Sequence, residues 1–182
     1  MIGLLKGISE LMKTDIASLR HTASWTLSNL IRTSYPDSTM FLEAGVLGPV
    51  LYMITKREHA PQEVSDALNL LSILTINSQD KHYDEVLRIQ YDLLNFLSNP
   101  DPAQLLNKFF VLRIFGNIIL FASDIHCLFA SDQFLVRVYE CMTLEVAFGT
   151  PGFEMKGKLE REAAWLLSNI AITQHLYTIM SH

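Results

Sequence analysis

Apolar residues recur at intervals of three and four along most of the 182-residue chain, which is the spacing of amphipathic helices. The clearest unit begins with a short helix predicted over residues 39–44, and Gly45 then supplies the left-handed turn that ends a helix. A second helix is predicted over 46–56. Pro61 suits the first turn of a third, longer helix over 62–76. The pattern predicts an all-α protein built from units of two short helices and one long helix.

The same order of helices recurs downstream of this unit. The loop predicted over 148–153 is rich in glycine and proline and holds the extra residues of the last unit. Segments 1–13 and 175–180 each resemble part of a unit, so we expect one domain over residues 1–182 with about four repeats, both terminal ones incomplete. The remaining predicted helices cover 81–90, 91–98, 103–122, 125–130, 133–145 and 158–172.

A short motif recurs within the long helices. The segments from Trp25 to Leu30 and from Trp165 to Ile170 both read Trp-x-Leu-Ser-Asn followed by Leu or Ile. Two weaker copies place Asn69 and Arg113 at the tryptophan position, so the successive steps are 44, 44 and 52 residues. A period of roughly 40–47 residues is typical of armadillo and HEAT repeats, which stack because no single repeat buries its own apolar face. The sequence therefore predicts a helical solenoid that serves as a binding scaffold.

The motif places an indole and an amide on one helix face, because Trp and Asn stand four residues apart in both copies. Core packing explains the apolar residues of a buried stripe but not an amide one turn away from an indole. An asparagine amide offers a donor and an acceptor to the backbone of an extended peptide. An indole gives the stem of Lys or Arg a flat wall and attracts its cation by roughly 0.5–2 kcal/mol. Two carboxylates precede motif positions by three residues on the same face, Asp66 and Glu162.

Composition and charge narrow the class of protein. Hydrophobic residues at 49% and charged residues at 18% exclude a disordered chain, and a net charge of −5 disfavours nucleic acid as a partner and suits a basic one. The longest apolar stretch, 109–122, is too short to span a membrane. Cys127 and Cys141 are predicted to be buried thiols. No metal-ligand spacing, phosphate-binding loop or nucleophile motif occurs, so we expect no catalytic residue, metal or cofactor and no enzyme activity.

The motifs and their register resemble the importin alpha family, the armadillo-repeat adaptors that bind nuclear localisation signals. Residues 19–32 are similar to a central repeat of that family, and residues 162–170 are similar to a later one. The segment Arg113-x-x-Gly116-Asn117 resembles the one repeat in which the family itself has arginine in place of tryptophan. The resemblance implies an all-α, right-handed superhelical solenoid of three-helix armadillo repeats, whose third helices line a concave groove.

The resemblance also implies a function and a set of binding residues. The partners would be basic nuclear localisation signals of cargo proteins, and importin beta through a segment absent from this sequence. The protein would act in the cytoplasm and the nucleus, with neither nucleic acid nor a membrane as a partner. The amide of Asn169 is expected to face the groove, so that its removal costs little fold stability. The expected peptide-binding residues are Trp25, Asn29, Asp66, Arg113, Asn117, Glu162, Trp165, Ser168 and Asn169.

Two alternatives remain open in the sequence. Asn69 and Ile73 stand where the family has a tryptophan and a polar or aromatic residue, so the middle of the groove lacks one wall. That departure supports a generic armadillo scaffold that binds another extended or helical protein segment, as catenin-type proteins do. Arg113 also admits a structural interpretation, in which its guanidinium bridges carboxylates such as Asp66 or Glu162 from adjacent repeats.

Overall fold

The computed structural model of the protein describes residues 1–33, 38–56, 60–76, 80–119, 121, 132–149 and 152–180. Throughout these ranges the regular elements are helices, without a strand, which confirms the predicted all-α class. No helix in the same ranges is long and apolar enough to cross a membrane. The chain divides into two compact units, Met1–Asp92 and Leu93–His182.

The described part of the first unit is built from four short α-helices and two long ones. Its helices are α1 (Ile2–Glu10), α2 (Ala17–Thr33), α3 (Thr39–Glu43), α4 (Leu47–Thr55), α5 (Pro61–Leu74) and α6 (Asp80–Leu87). Gly45 has a φ of 76°, and the N–H of Val46 donates to the carbonyl of Phe41 at 3.1 Å. This left-handed glycine ends α3 at the predicted place.

The long helices α2 and α5 pack side by side and form the core of the first unit together with α4. Leu27 and Ile31 on α2, and Leu68 and Leu71 on α5, are almost completely buried, as is Val50 on α4. Their spacing of three and four residues is the pattern from which the helices were predicted. Full burial of one such side chain contributes about 1.5–3 kcal/mol, so this apolar contact holds the unit together.

A buried ion pair joins the N-terminal parts of α2 and α5. Nε of Arg20 donates to Oε1 of Glu63 at 2.9 Å, and Nη2 donates to Oε2 at 3.2 Å. Nη1 of Arg20 also donates to the carbonyl of Thr14 at 2.7 Å, while Oε2 of Glu63 accepts the N–H of Ala60 at 2.9 Å. Since both side chains are buried, removal of either partner leaves the other charge inside the protein without compensation.

We predict that Glu63→Ala lowers the free energy of unfolding by about 3–5 kcal/mol, because the Arg20 guanidinium is left buried without its carboxylate. The matched control is Glu10→Ala, which removes an exposed ion pair with Lys13 and is expected to cost less than about 1 kcal/mol. Urea unfolding followed by circular dichroism measures both costs. Equal costs would show that the buried pair does not stabilise the first unit.

The second unit is dominated by two long helices. Its helices are α7 (Gln90–Ser98), which spans the boundary between the units, α8 (Leu105–Ile118), α9 (Asp132–Met142) and α10 (Phe153–Met180). Helix α10 packs against both α8 and α9. The rings of Phe115 on α8 and Phe134 on α9 meet edge to face, with centroids 5.1 Å apart. The core of this unit therefore lies between three helices.

The break predicted after residue 172 is wrong, because α10 continues as one helix to Met180. Neither proline nor glycine occurs after Gly157 in this segment, so the sequence contains no residue that ends the helix earlier. Helix α10 also begins before its predicted start, directly after the glycine- and proline-rich loop. Most other predicted boundaries lie close to the observed ones. The helix predicted over 125–130 lies outside the described residues.

Cys141 on α9 is a buried free thiol, as predicted. Burial raises the pKa of this thiol from an ordinary value of 9.0 to about 11; the Lys108 ammonium partly offsets the rise and the Glu140 carboxylate adds to it. The folded protein therefore holds the thiol proton more tightly than the unfolded chain does. Cys127, the other predicted buried thiol, lies outside the described residues.

We predict that the stability contributed by the neutral Cys141 thiol is present below pH 9 and is lost as the pH rises toward 11. The parent and Cys141→Ala are compared by urea unfolding, both in a Cys127→Ser background, so that the titration of other residues cancels. The difference in unfolding free energy should shift by about 1–2 kcal/mol between about pH 8.5 and pH 10.5, to the disadvantage of the parent. A difference that stays constant over this interval would contradict the prediction.

Candidate functional site

Trp25 lies on the exposed face of α2 in the first unit. Its side chain is 61% exposed, and Asn29, one turn further along, is half-buried. Asn69 stands at the equivalent motif position on α5, and its Oδ1 accepts a hydrogen bond from Nη2 of Arg32 at 3.3 Å. The first unit therefore presents the indole of Trp25 at its surface. At the equivalent position of α5 it has the amide of Asn69 and not a second aromatic ring.

The carboxylate of Asp66 is engaged by two neighbouring side chains. Oδ2 of Asp66 lies 2.6 Å from Nδ1 of His21 on α2, and Oδ1 accepts a hydrogen bond from Nε2 of Gln62 at 3.0 Å. The contact with His21 joins α2 to α5 at the exposed edge of the helix pair. A ligand cation would have to compete with His21 for this carboxylate.

Trp165 on α10 is 40% exposed, and part of its ring rests directly on α8. A Cβ atom at Gly116 would lie 2.1 Å from Cζ3 of the indole, 2.7 Å from Cε3 and 2.8 Å from Cη2. Two carbon atoms cannot approach so closely without a bond, so the indole fits against α8 only because residue 116 is glycine. The remainder of the ring stays accessible to a ligand.

The expectation that the Asn169 amide faces the groove is wrong. Asn169 is only 6% exposed, and its Nδ2 donates to the carbonyl of Gly116 at 3.0 Å. Gly116 belongs to the last turn of α8. Thr173 makes a similar but longer contact, with Oγ1 at 3.4 Å from the carbonyl of Ile119. The amide therefore caps the end of a neighbouring helix.

Arg113 forms a bidentate ion pair with Glu162 across the contact between α8 and α10. Nε donates to Oε1 at 2.9 Å and Nη2 donates to Oε2 at 2.8 Å. The guanidinium carbon also lies 4.8 Å from the centre of the Phe109 ring. The structural interpretation of Arg113 is confirmed for its pairing with Glu162. Because the glutamate is buried and the arginine side chain is 43% exposed, the pair presents a guanidinium, not a carboxylate, at the surface.

The other two predicted residues differ in exposure. Ser168 is exposed on α10, and its hydroxyl donates to the carbonyl of Ala164 at 3.0 Å within the same helix. Asn117 is half-buried on α8. In the described ranges no group of His, Cys, Asp or Glu side chains is arranged to hold a metal ion. The predicted residues that meet at the contact between α8 and α10 are Arg113, Glu162, Trp165 and Asn169.

Two residues of these sites have roles that the motif analysis does not predict. Gly116 stands inside a long helix, where glycine is unfavourable, and this is the sequence feature that indicates a close approach of another group. His21 has no comparable feature, since an isolated histidine on a helix face is compatible with many surroundings. Its contact with Asp66 depends on the alignment of α2 with α5, and this alignment cannot be predicted from the local sequence.

The chain matches no known family model and no curated protein. It does match solved structures, three of which are described as engineered proteins. They are 18%, 15% and 14% identical to this chain and superpose with TM-scores of 0.68, 0.72 and 0.57 over 92%, 94% and 92% of it. The chain spans 64% of the length of the first two and 47% of the third. Likeness at these identities shows the shared helical fold alone.

We predict that Asn169→Ala lowers the free energy of unfolding by about 1–3 kcal/mol, because the carbonyl of Gly116 loses its donor in a buried position. The matched control is Asn29→Ala, which removes the half-buried amide of the other motif copy and should cost less than about 0.5 kcal/mol. Chemical unfolding of the two variants and the parent gives both values. An Asn169→Ala variant as stable as the parent would show that the amide does not cap α8.

Proposed function

We propose that the protein is an adaptor of the armadillo-repeat type that binds extended basic peptides, such as nuclear localisation signals, on the faces that carry Trp25 and Trp165. The observation that carries the proposal is that both indoles are exposed at the same position of a repeated motif. A tryptophan that serves only the core is largely buried. Trp25 is 61% exposed on α2, and Trp165 rests on α8 with one part of its ring while the rest of the ring stays accessible.

An exposed indole suits a lysine or arginine side chain in two ways. The aliphatic stem packs on the ring face, and the cation is attracted by the π electrons. Asp66 and Glu162 are already paired within the protein, so the indoles and the overall charge of −5 supply the attraction for a basic ligand. We therefore expect recognition to depend more on the side-chain stems than on direct ion pairs.

The wider assignments rest on the resemblance to the importin alpha family. The long helices α2, α5, α8 and α10 would be the third helices of armadillo repeats. The protein would carry cargo by its basic signal, act in the cytoplasm and the nucleus, and meet importin beta through a segment outside this sequence. The likeness to engineered helical proteins supports the helical architecture only.

A second candidate function is the binding of an uncharged extended or helical segment of another protein. The pairing of the two predicted carboxylates favours it, since His21 holds Asp66 and Arg113 holds Glu162. The asparagine at position 69, in place of a third tryptophan, also favours it. The two functions differ in whether a positive charge on the ligand contributes to affinity.

We predict that the parent protein binds a lysine-rich import peptide and that Trp165→Ala weakens this binding about 2- to 30-fold, the range that corresponds to the loss of one cation–π contact. Isothermal titration calorimetry measures the affinities. The matched control is Tyr139→Ala, which removes an exposed aromatic ring on α9 outside the motif and should leave the affinity unchanged.

A second peptide, in which norleucine replaces every lysine, tests the role of charge because norleucine keeps the stem and removes the ammonium group. Weaker binding of the norleucine peptide supports the first function. Equal binding of the two peptides would contradict the first function and support the second. A parent protein that binds neither peptide would contradict both.

A further inference from the structure

Gly116 contacts both motif residues of the next long helix. The indole of Trp165 occupies the space into which a side chain at residue 116 would project, and the Gly116 carbonyl accepts the Asn169 amide at 3.0 Å. We propose that Gly116 is a positioning residue, whose lack of a side chain sets the orientation in which Trp165 meets a peptide. The inference rests on the proposed function and deepens it, because it identifies the residue that orients the binding wall.

Helix α10 is held to α8 on both sides of Trp165. The ion pair between Arg113 and Glu162 lies one turn before the indole, and the bond from Asn169 to Gly116 lies one turn after it. These contacts, at 2.8–3.0 Å, leave little room for α10 to slide or tilt away. A methyl group at residue 116 would therefore displace the indole and not the helix.

The orientation that results leaves one part of the ring covered by α8 and the other part open to a ligand. A ring held in this way is preorganised, so a peptide that packs on it restricts little further side-chain motion. A ring turned away from α8 would have more freedom and a different face outward. The affinity should then fall even though the tryptophan is still present.

The corresponding positions of the first unit carry neither the glycine nor the tryptophan. Ser28 stands three residues after the motif position Trp25, as Gly116 stands three residues after the motif position Arg113. The next motif position is Asn69 in the first unit, where the second unit has tryptophan. The first unit thus has a serine where the second unit has Gly116, and an asparagine where the second unit has Trp165. This is the combination expected if the indole requires a glycine on the neighbouring helix.

Fluorescence and calorimetry together test the proposal. The chain has two tryptophans, so Trp25→Phe leaves Trp165 as its single indole. In that background Gly116→Ala should shift the emission to longer wavelength and increase quenching by acrylamide, because the ring leaves α8. With Trp25 intact, Gly116→Ala should weaken binding of the lysine-rich peptide about 2- to 30-fold, as Trp165→Ala does.

The matched control is Gly157→Ala on α10, where a Cβ atom would meet its nearest neighbour at an ordinary 3.6 Å and should alter neither measurement. Unchanged fluorescence in Gly116→Ala would overturn the inference. Parental affinity in a Gly116→Ala variant whose fluorescence has shifted would overturn it as well and would leave the proposed function intact. A parent protein that binds no peptide would overturn both.

A Gly116→Ala variant that loses stability still gives a decisive result. The double variant Gly116→Ala with Trp165→Ala removes the ring that the new methyl group would meet. Recovery of the melting temperature in the double variant, relative to Gly116→Ala alone, supports the inference. An equal loss with and without the Trp165 ring would show that the indole does not depend on glycine at residue 116.

Discussion

Each unit of this protein depends on the side-by-side packing of two long helices. Helix α2 packs on α5, and α8 packs on α10, and neither member of a pair would bury its apolar residues alone. Polar groups at the contact edges then meet across each helix pair, and the ones that are buried have to find partners within the protein. The pairs that satisfy them are Arg20 with Glu63, His21 with Asp66, Arg113 with Glu162, and Asn169 with the Gly116 carbonyl.

This constraint decides which motif residues remain available to a ligand. The carboxylates and the Asn169 amide, which resemble binding groups in the sequence, are used to join one helix to the next. An indole behaves differently, because it is large enough to cover a neighbouring helix with one part and to stay accessible with another. Trp165 shows this division directly, since it rests on Gly116 and is still 40% exposed. Among the tryptophans and amides of the two motif copies, the indoles are therefore the groups that remain most exposed.

The sequence predicted the parts of the structure that depend on local pattern. Periodic apolar residues, Gly45 and Pro61 located the helices of the first unit, because each acts through the backbone of its own segment. The sequence analysis predicted a break after residue 172 because the repeat pattern suggested one. Helix α10 is continuous because no helix-ending residue is present there. No local sequence pattern shows where the end of one helix lies beside another helix.

Asn169 is an example of a contact that its local sequence does not predict. The spacing places the Asn169 amide on the same face of α10 as Trp165, but it does not reveal that the Gly116 carbonyl, in the last turn of α8, lies opposite that face and accepts the amide. The guanidinium chemistry of Arg113 predicted a carboxylate partner, with Asp66 and Glu162 as examples, and the alignment of α8 with α10 brings Glu162 to it. Gly116 lies within the motif that begins at Arg113, but the motif alone does not show that the Trp165 indole lies against it.

The most direct test of this account is nuclear magnetic resonance of the two indole N–H groups, whose signals are assigned with Trp25→Phe. If both indoles bind the ligand, both signals move and reach saturation as an extended basic peptide is added. Signals from the backbone of buried core residues such as Leu68 and Val138 should stay nearly fixed. Indole signals that do not move while calorimetry records binding would contradict the account, because the peptide would then bind elsewhere on the protein.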